Sequence, residues 1–270
     1  MTQKKFKLFN KLLLVSVLLL LGSMLVSWFF ASGMFAILTM DYTAPDLVQG
    51  MKKEIQGTYI WQVMTWETLV DSSLYYLLNF LPLFIIFPAL SFFQEKRSLF
   101  VLGRHRFQSV KKSLVSSCLT YSFQSALAFS GSCTLFYSIG GLFVRRGLTD
   151  IGDFASIFPV GFYERHPYLF FMFMVWSIYF VMACLFSFYA CGLALLCHKE
   201  YQVMLIILAT YIGCNYIGGV TGSKFFGIFN SFGAFNTVYQ THEVFYVTLP
   251  LSLLGIGVWL IGVKKFLDTY

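Results

Sequence analysis

Six long apolar stretches, none of which contains a charged side chain, constrain this chain more than any other feature. Each has the ~20 residues that a helix needs to cross the hydrocarbon core of a bilayer. Backbone polar groups cannot be left bare in lipid, and membrane strands would show alternating segments of ~10 residues, so the stretches predict helices. We number them spans 1 to 6: Leu12–Met40, Ser72–Phe93, Ser113–Val144, Pro167–Cys197, Tyr201–Thr221 and Val244–Val263. The predicted fold is an all-α membrane protein with six transmembrane helices.

The composition and the charge distribution predict how the chain lies in the membrane. With 58% hydrophobic and 11% charged residues, the 270 residues leave no room for a soluble domain, so residues 1–270 are expected to form a single transmembrane domain. Thirteen of the 19 Lys and Arg residues flank the N-terminus, the C-terminus and the loops after spans 2 and 4, and six lie in the other loops. Because basic residues accumulate on the cytoplasmic side, both termini are predicted to be cytoplasmic in a multi-pass protein of the cell membrane. The net charge of +7 is therefore a topology signal, and no nucleic-acid partner is expected.

The sequence lacks the residues that an enzyme active site or a metal site would require. The six cysteines lie in or at the ends of spans without a C-x-x-C pair, and the four histidines are far apart, so no metal site is predicted. An acid or base at bilayer depth costs ~2.5–3.5 kcal/mol and is kept only for function. The spans contain no such residue, which argues against an enzyme and against proton- or ion-coupled carriers.

Several segments carry structural predictions of their own. Pro82 and Pro88 should kink span 2, and the serines and glycines of span 3 predict a helix that packs closely against others. The loop before span 2 is expected to contain either an amphipathic surface helix around residues 47–59 or a solvated loop. The segment Gly222–Glu243 has five phenylalanines, a surface too apolar to face water, and predicts a re-entrant segment before span 6.

The basic segment Gln94–Lys112 lies between spans 2 and 3 and permits two interpretations. A basic loop fixes the topology and attracts anionic membrane lipid. Alternatively, the apolar edge that follows the first charges forms a short interfacial helix that docks into a cytoplasmic partner. The match to a phosphate-binding loop at Gly218–Lys224 lacks the second glycine, so any ATPase must be another chain.

The layout of the chain resembles the type-2 ABC-transporter permease family. Like its members, the chain has a short N-terminal segment, six spans, an acidic–basic pair after span 2 and a span 3 rich in small residues. In that family the segment after span 2 follows the pattern E-[K/R]-x-[S/T]-L-x-x-L, which this chain matches at Glu95, Lys96, Ser98, Leu99 and Leu102. Arg97 stands where many members have Gly, and Gly103 where Pro is common. The compact size resembles the small permeases that export antimicrobial peptides or confer immunity to them.

The resemblance implies a coupling helix that docks into a cytoplasmic ATP-binding subunit. Its contacts would come from Glu95, Lys96, Arg97, Ser98, Leu99, Leu102 and Arg104. The resemblance also implies a second permease subunit, identical or similar to this one. ATP and Mg would be held by the partner ATPase, so this chain itself would carry no cofactor.

The transported substrate is expected to be amphipathic or hydrophobic, because the spans offer only aromatic and weakly polar side chains. Candidate path residues are Asn79, Gln124 and Asn215, each of which could instead be an interhelical hydrogen-bond partner. The outer gate is predicted to consist of phenylalanines of the re-entrant segment: Phe225, Phe229 and Phe232. Two other functions stay open: the substrate-capture subunit of a vitamin importer, and a non-transporting membrane scaffold or immunity protein.

Overall fold

The computed structural model describes residues 11–42, 52–97, 109–145, 158–233 and 243–269. Within these ranges the chain is helical and contains no strand. Four helical segments are long and apolar enough to cross a membrane: Lys11–Ala31, Pro167–Leu196, Glu200–Thr221 and Glu243–Asp268. The prediction of a helical membrane protein is therefore confirmed.

The helices follow the predicted spans closely in the second half of the chain. In chain order they are α1 (Lys11–Ala31), α2 (Met34–Thr39), α3 (Lys52–Val63), α4 (Trp66–Tyr75), α5 (Leu81–Ile85), α6 (Phe87–Glu95), α7 (Val110–Gly140), α8 (Phe162–Arg165), α9 (Pro167–Met174), α10 (Phe180–Leu196), α11 (Glu200–Thr221), α12 (Ile228–Ser231) and α13 (Thr248–Thr269). A π-helical turn, Val175–Tyr179, joins α9 and α10 into one helix. The loop before span 2 does contain a helix, α3, although its apolar residues are not gathered on one face as an amphipathic helix would require. Helix α13 begins later than predicted and continues past Val263.

The two predicted spans absent from the four candidates differ from them in regularity or polarity. Span 2 is broken into α4, a 3₁₀ turn at Leu77–Asn79, α5 and α6, and it begins at Trp66 rather than at Ser72. The broken segment 66–95 nevertheless lies in the centre of the bundle, where Leu81, Ile85 and Phe92 are fully buried. Helix α7 is 31 residues long, but its many serines make it more polar than the four candidates.

Helix α10 is the centre of the packing, between α7 on one side and α13 on another. Its approach to α13 is closest where Gly192 faces Gly262. A Cβ on Gly262 would lie 2.9 Å from the Gly192 carbonyl oxygen, and a Cβ on Gly192 would lie 3.0 Å from the backbone nitrogen of Trp259. Small residues allow this approach of two backbones, as they commonly do between membrane helices.

The bundle has two ends that we name by their composition. The basic end comprises Glu95–Arg97, Ser109–Lys112, Cys197–Lys199 and Lys264–Lys265. The aromatic end comprises Trp66, the end of α7, the start of α9 and the segment Gly222–Gly233. At the aromatic end the Trp66 amide donates to the Arg145 carbonyl at 2.7 Å, which joins the start of the broken segment to the residues that follow α7.

Candidate functional site

Lys96 fastens the end of the broken segment to the end of α10. Its Nζ donates to the carbonyl oxygens of Ala194, Leu195 and Cys197 at 2.8, 3.0 and 3.0 Å. The last carbonyls of a helix have no intrahelical donor and carry the negative end of its dipole, so an ammonium group is well placed there. Burial lowers the pKa of the Lys96 ammonium, because a charge is less well solvated in this position.

The residues on either side of Lys96 extend this connection. Arg97 donates from Nη2 to the His198 carbonyl at 2.6 Å, and its guanidinium lies 4.8 Å from the centre of the Phe93 ring. The Glu95 carboxylate lies beside the hydroxyl of Tyr121 on α7. We call these three side chains the clamp: they tie the end of α6 to α7, to α10 and to the turn before α11.

The clamp changes the interpretation of the predicted coupling residues. Sequence reasoning assigned Glu95, Lys96 and Arg97 to direct contact with a partner, whereas the structure engages each of them with this chain's own helices. Lys96 and Arg97 thus connect the end of α6 to α10 and to the turn before α11. The remaining predicted coupling residues lie outside the described part of the chain: Ser98, Leu99, Leu102 and Arg104.

Hydroxyl groups from α1 and α11 satisfy the carbonyls that the two prolines leave free. Pro82 has no N–H for the carbonyl of Leu78, and the Tyr211 hydroxyl donates to that oxygen at 2.6 Å. Pro88 likewise has no N–H to donate to the carbonyl of Phe84, which accepts a hydrogen bond from Ser16 Oγ at 3.0 Å instead.

Ser27 acts differently, at a break that contains no proline. It inserts its hydroxyl between Ser72 and Tyr76, donating to the carbonyl of the first at 2.7 Å and accepting from the amide of the second at 3.0 Å. An inserted hydroxyl is a known cause of helix breaks. Each break in the segment 66–95 therefore has a specific partner on a neighbouring helix.

The three predicted path residues occupy different environments. Asn79 is exposed in the turn between α4 and α5. Asn215 donates to the Tyr211 carbonyl at 3.0 Å and accepts from the Phe229 amide at 2.7 Å, so it links α11 to α12. Gln124 is buried in α7 and lines a groove.

The groove lies between α7 and α10 and has a volume of about 680 Å³. It opens to the outside of the bundle, where Leu119 and Phe123 are about half exposed. No charged residue lines it, and its polar groups are hydroxyls, one thiol and the Gln124 amide. Pockets of this size and composition are typical of sites for apolar ligands.

The three predicted gate residues divide into one core residue and two surface residues. Phe232 is 1% exposed, packs against the rings of Phe129 and Tyr179, and accepts from the Tyr179 hydroxyl at 2.6 Å through its carbonyl. Phe225 is partly exposed and stacks on Tyr246 with ring centres 5.1 Å apart. Phe229 is also partly exposed.

Two contacts hold the described part of the predicted re-entrant segment against the bundle. Gly218 allows α11 to touch it, because a Cβ there would lie 2.9 Å from backbone atoms of Phe226 and Gly227. An ion pair between Lys224 and Glu243 joins the start of the segment to the residues that precede α13. Packing against protein is therefore observed for residues 224–232, and residues 234–242 lie outside the described ranges.

Sequence reasoning missed one buried acidic side chain. Glu67 and Tyr163 are each 4% exposed, and the tyrosine hydroxyl donates to Glu67 Oε1 at 2.8 Å. Because the charge-free stretch begins at Ser72, directly after Asp71, the sequence predicts that Glu67 lies in the preceding loop. The N-cap pattern of Thr65, whose hydroxyl accepts from the Thr68 amide, was the local signal for an earlier helix start.

Comparisons with protein-family models, with curated proteins and with solved structures found no match to this chain. The class that fold and composition define is a helical membrane protein, and any narrower assignment is a proposal.

Proposed function

We propose that this chain is the membrane-spanning permease subunit of an ATP-driven transporter, of the kind that type-2 ABC permeases represent. In this proposal the broken segment 66–95 and α7 also cross the membrane, which gives six spans in the cell membrane. The basic end faces the cytoplasm, as the distribution of Lys and Arg favours. The hydroxyl partners of the broken segment support its placement in lipid, because irregular backbone is tolerated there when protein satisfies it.

The clamp is the observation that carries the proposal. A subunit driven by a separate ATPase needs a rigid connection between the docking segment, which we propose to be residues 98–108, and the helices that move. Lys96 and Arg97 supply such a connection, because they join the residues directly before the segment 98–108 to α10 and to the α10–α11 turn. A movement of that segment would shift several helices together as a rigid body.

The substrate is proposed to be amphipathic or hydrophobic, such as an antimicrobial peptide. It would follow the interface between this chain and a second permease subunit, near Asn79 and its exposed neighbours Tyr75, Tyr76 and Phe80. Phe225 and Phe229 are retained as outer gate residues because both are accessible. Phe232 is a packing residue that supports them.

The test is purification of the affinity-tagged chain from its own cells in mild detergent, followed by an assay of Mg-dependent ATP hydrolysis. We expect an ATP-binding subunit to copurify and to hydrolyse ATP, and the reconstituted complex to move an amphipathic peptide across vesicles. Lys96→Met should keep the ATPase bound but reduce transport about tenfold or more, because the docking segment is no longer fastened to α10. Lys199→Met, an exposed lysine at the same end, is the matched control and should leave transport unchanged.

A preparation without ATP hydrolysis above the level of membranes lacking the chain would contradict the proposal. Wild-type transport by Lys96→Met would leave the permease assignment standing and remove the role of the clamp.

A further inference from the structure

The groove between α7 and α10 lies directly beneath a pair of lysines. Lys111 and Lys112 are exposed in the first turn of α7. Lys112 and Ser116 are four residues apart, so they share one face of the helix, and Ser116 is the first groove residue. Lys112 therefore stands about one helical turn, or roughly 6 Å along the helix axis, before the first residue of an apolar groove, and Lys111 is its neighbour on the adjacent face of α7.

The groove spans most of the hydrocarbon depth of one membrane leaflet. Its α7 wall runs from Ser116 to Gln124, which corresponds to about 12 Å of helix. Half of a bilayer core is about 15 Å thick. The α10 wall is formed by Cys184, Leu185 and Phe188 at the same level, where the Cys184 thiol lies 3.7 Å from the Ser122 carbonyl.

The opening of the groove limits what can fill it. It faces away from the bundle, with Leu119 and Phe123 exposed at its edge, so an occupant enters sideways from the lipid phase. The groove itself offers no charged partner, whereas two ammonium groups stand beyond its Ser116 end, at the start of α7. The matching ligand has an apolar chain at one end and an anion at the other.

We infer that the groove and the lysine pair form a binding site for one anionic phospholipid. An acyl chain lies along Thr120 and Phe123 against α10, and the phosphate lies at Lys111 and Lys112. This inference rests on the six-span topology proposed above, which places α7 in the bilayer with its start at the cytoplasmic surface. Basic residues at this level contribute strongly to the binding of anionic lipid.

Native mass spectrometry of the purified full chain measures the site directly. Phosphatidylglycerol and phosphatidylcholine with identical chains are titrated in turn, and we expect phosphatidylglycerol to bind at least tenfold more tightly. Lys111→Gln with Lys112→Gln should bring the two lipids to within about threefold of each other. Thr120→Trp, which fills the groove, should weaken both lipids. Glycerol phosphate, which has no acyl chains, should neither bind nor compete.

Lys199→Gln with Lys264→Gln is the matched control, since it removes two exposed lysines from the same end of the bundle and should retain the preference. If this control also lost the preference for phosphatidylglycerol, the preference would reflect net charge alone and the proposed site would be wrong. Unchanged phosphatidylglycerol binding in either groove variant would also overturn it. The thermal unfolding midpoint of each variant confirms that it is folded, and the readout involves no ATPase, so it is independent of the transport proposal.

Discussion

At the scale of single residues, hydroxyl side chains decide how this chain tolerates a broken helix in its centre. Pro82 and Pro88 remove two donors, and Tyr211 and Ser16 replace them from α11 and α1. Neither hydroxyl stands out in the sequence, where each lies in an apolar stretch. Their importance comes from the cost of a buried carbonyl without a donor.

Replacing Tyr211 by Phe removes the donor to the Leu78 carbonyl and leaves the ring in place. We expect the free energy of unfolding to fall by ~1–3 kcal/mol, because the carbonyl is then buried without a partner. The measurement is the thermal unfolding midpoint in detergent. Tyr216→Phe is the control, because Tyr216 lies on the same helix with 71% of its surface exposed, and it should leave the midpoint unchanged. Equal midpoints for the two variants would show that the Tyr211 bond does not stabilise the broken segment.

At the scale of elements, the contact between α10 and α13 depends on the absence of side chains. Gly192 and Gly262 face each other with almost no space for a Cβ. Trp259 packs beside them against the rings of Phe92 and Phe188, which connects α13 to the broken segment and to α10. Helix α10 thus contacts α13 through Gly192 and receives the clamp at its basic end.

Gly262→Ala places a methyl group 2.9 Å from the Gly192 carbonyl oxygen and 3.0 Å from Cβ of Leu195. The helices must separate to accept it, and overpacking of this kind costs ~1–3 kcal/mol. Gly257→Ala is the control on the same helix, since nothing lies within 4 Å of its Cβ. The control should be neutral or stabilising by up to ~1 kcal/mol, because Ala favours a helix more than Gly does. The thermal unfolding midpoint should fall for Gly262→Ala and stay or rise for Gly257→Ala. An unchanged midpoint for Gly262→Ala would refute the tight crossing of α10 and α13.

The predicted gate shows the same dependence on neighbouring elements. Five phenylalanines of similar spacing gave no indication of which would be buried. Phe232 is buried because Phe129 on α7 and Tyr179 in the π-helical turn lie opposite it. Phe225 and Phe229 point to the surface of the single chain.

At the scale of the whole molecule, the charge distribution and the helix directions make one topology prediction. Residues at the basic end should be cytoplasmic, and residues of the loop that contains α3 should face outward. Cysteine labelling in intact cells tests this, with a background from which the six native cysteines have been removed. Lys53→Cys should react with an impermeant reagent, and Lys264→Cys should react only after the membrane is opened. Both side chains are exposed, so accessibility within the protein is matched. The reverse pattern would invert the orientation.

The helical membrane character follows from the sequence alone, because charge-free stretches of this length have few other solutions. The limits of α11 and of the segment Pro167–Leu196 were predicted within one residue, since charges or a proline mark their ends. Pro82 and Pro88 also indicated irregularity in span 2.

Only the tertiary structure decided where the irregular segment finds its hydrogen bonds and which way the charged residues after it point. The partners of Lys96 lie about 100 positions further along the chain, and those of Leu78 lie 133 positions away. Local patterns report hydrophobicity and helix propensity, whereas these bonds depend on which helices become neighbours. The sequence accordingly suggested a partner-facing Lys96, and the packing of α6 beside α10 directed it to the last carbonyls of α10 instead.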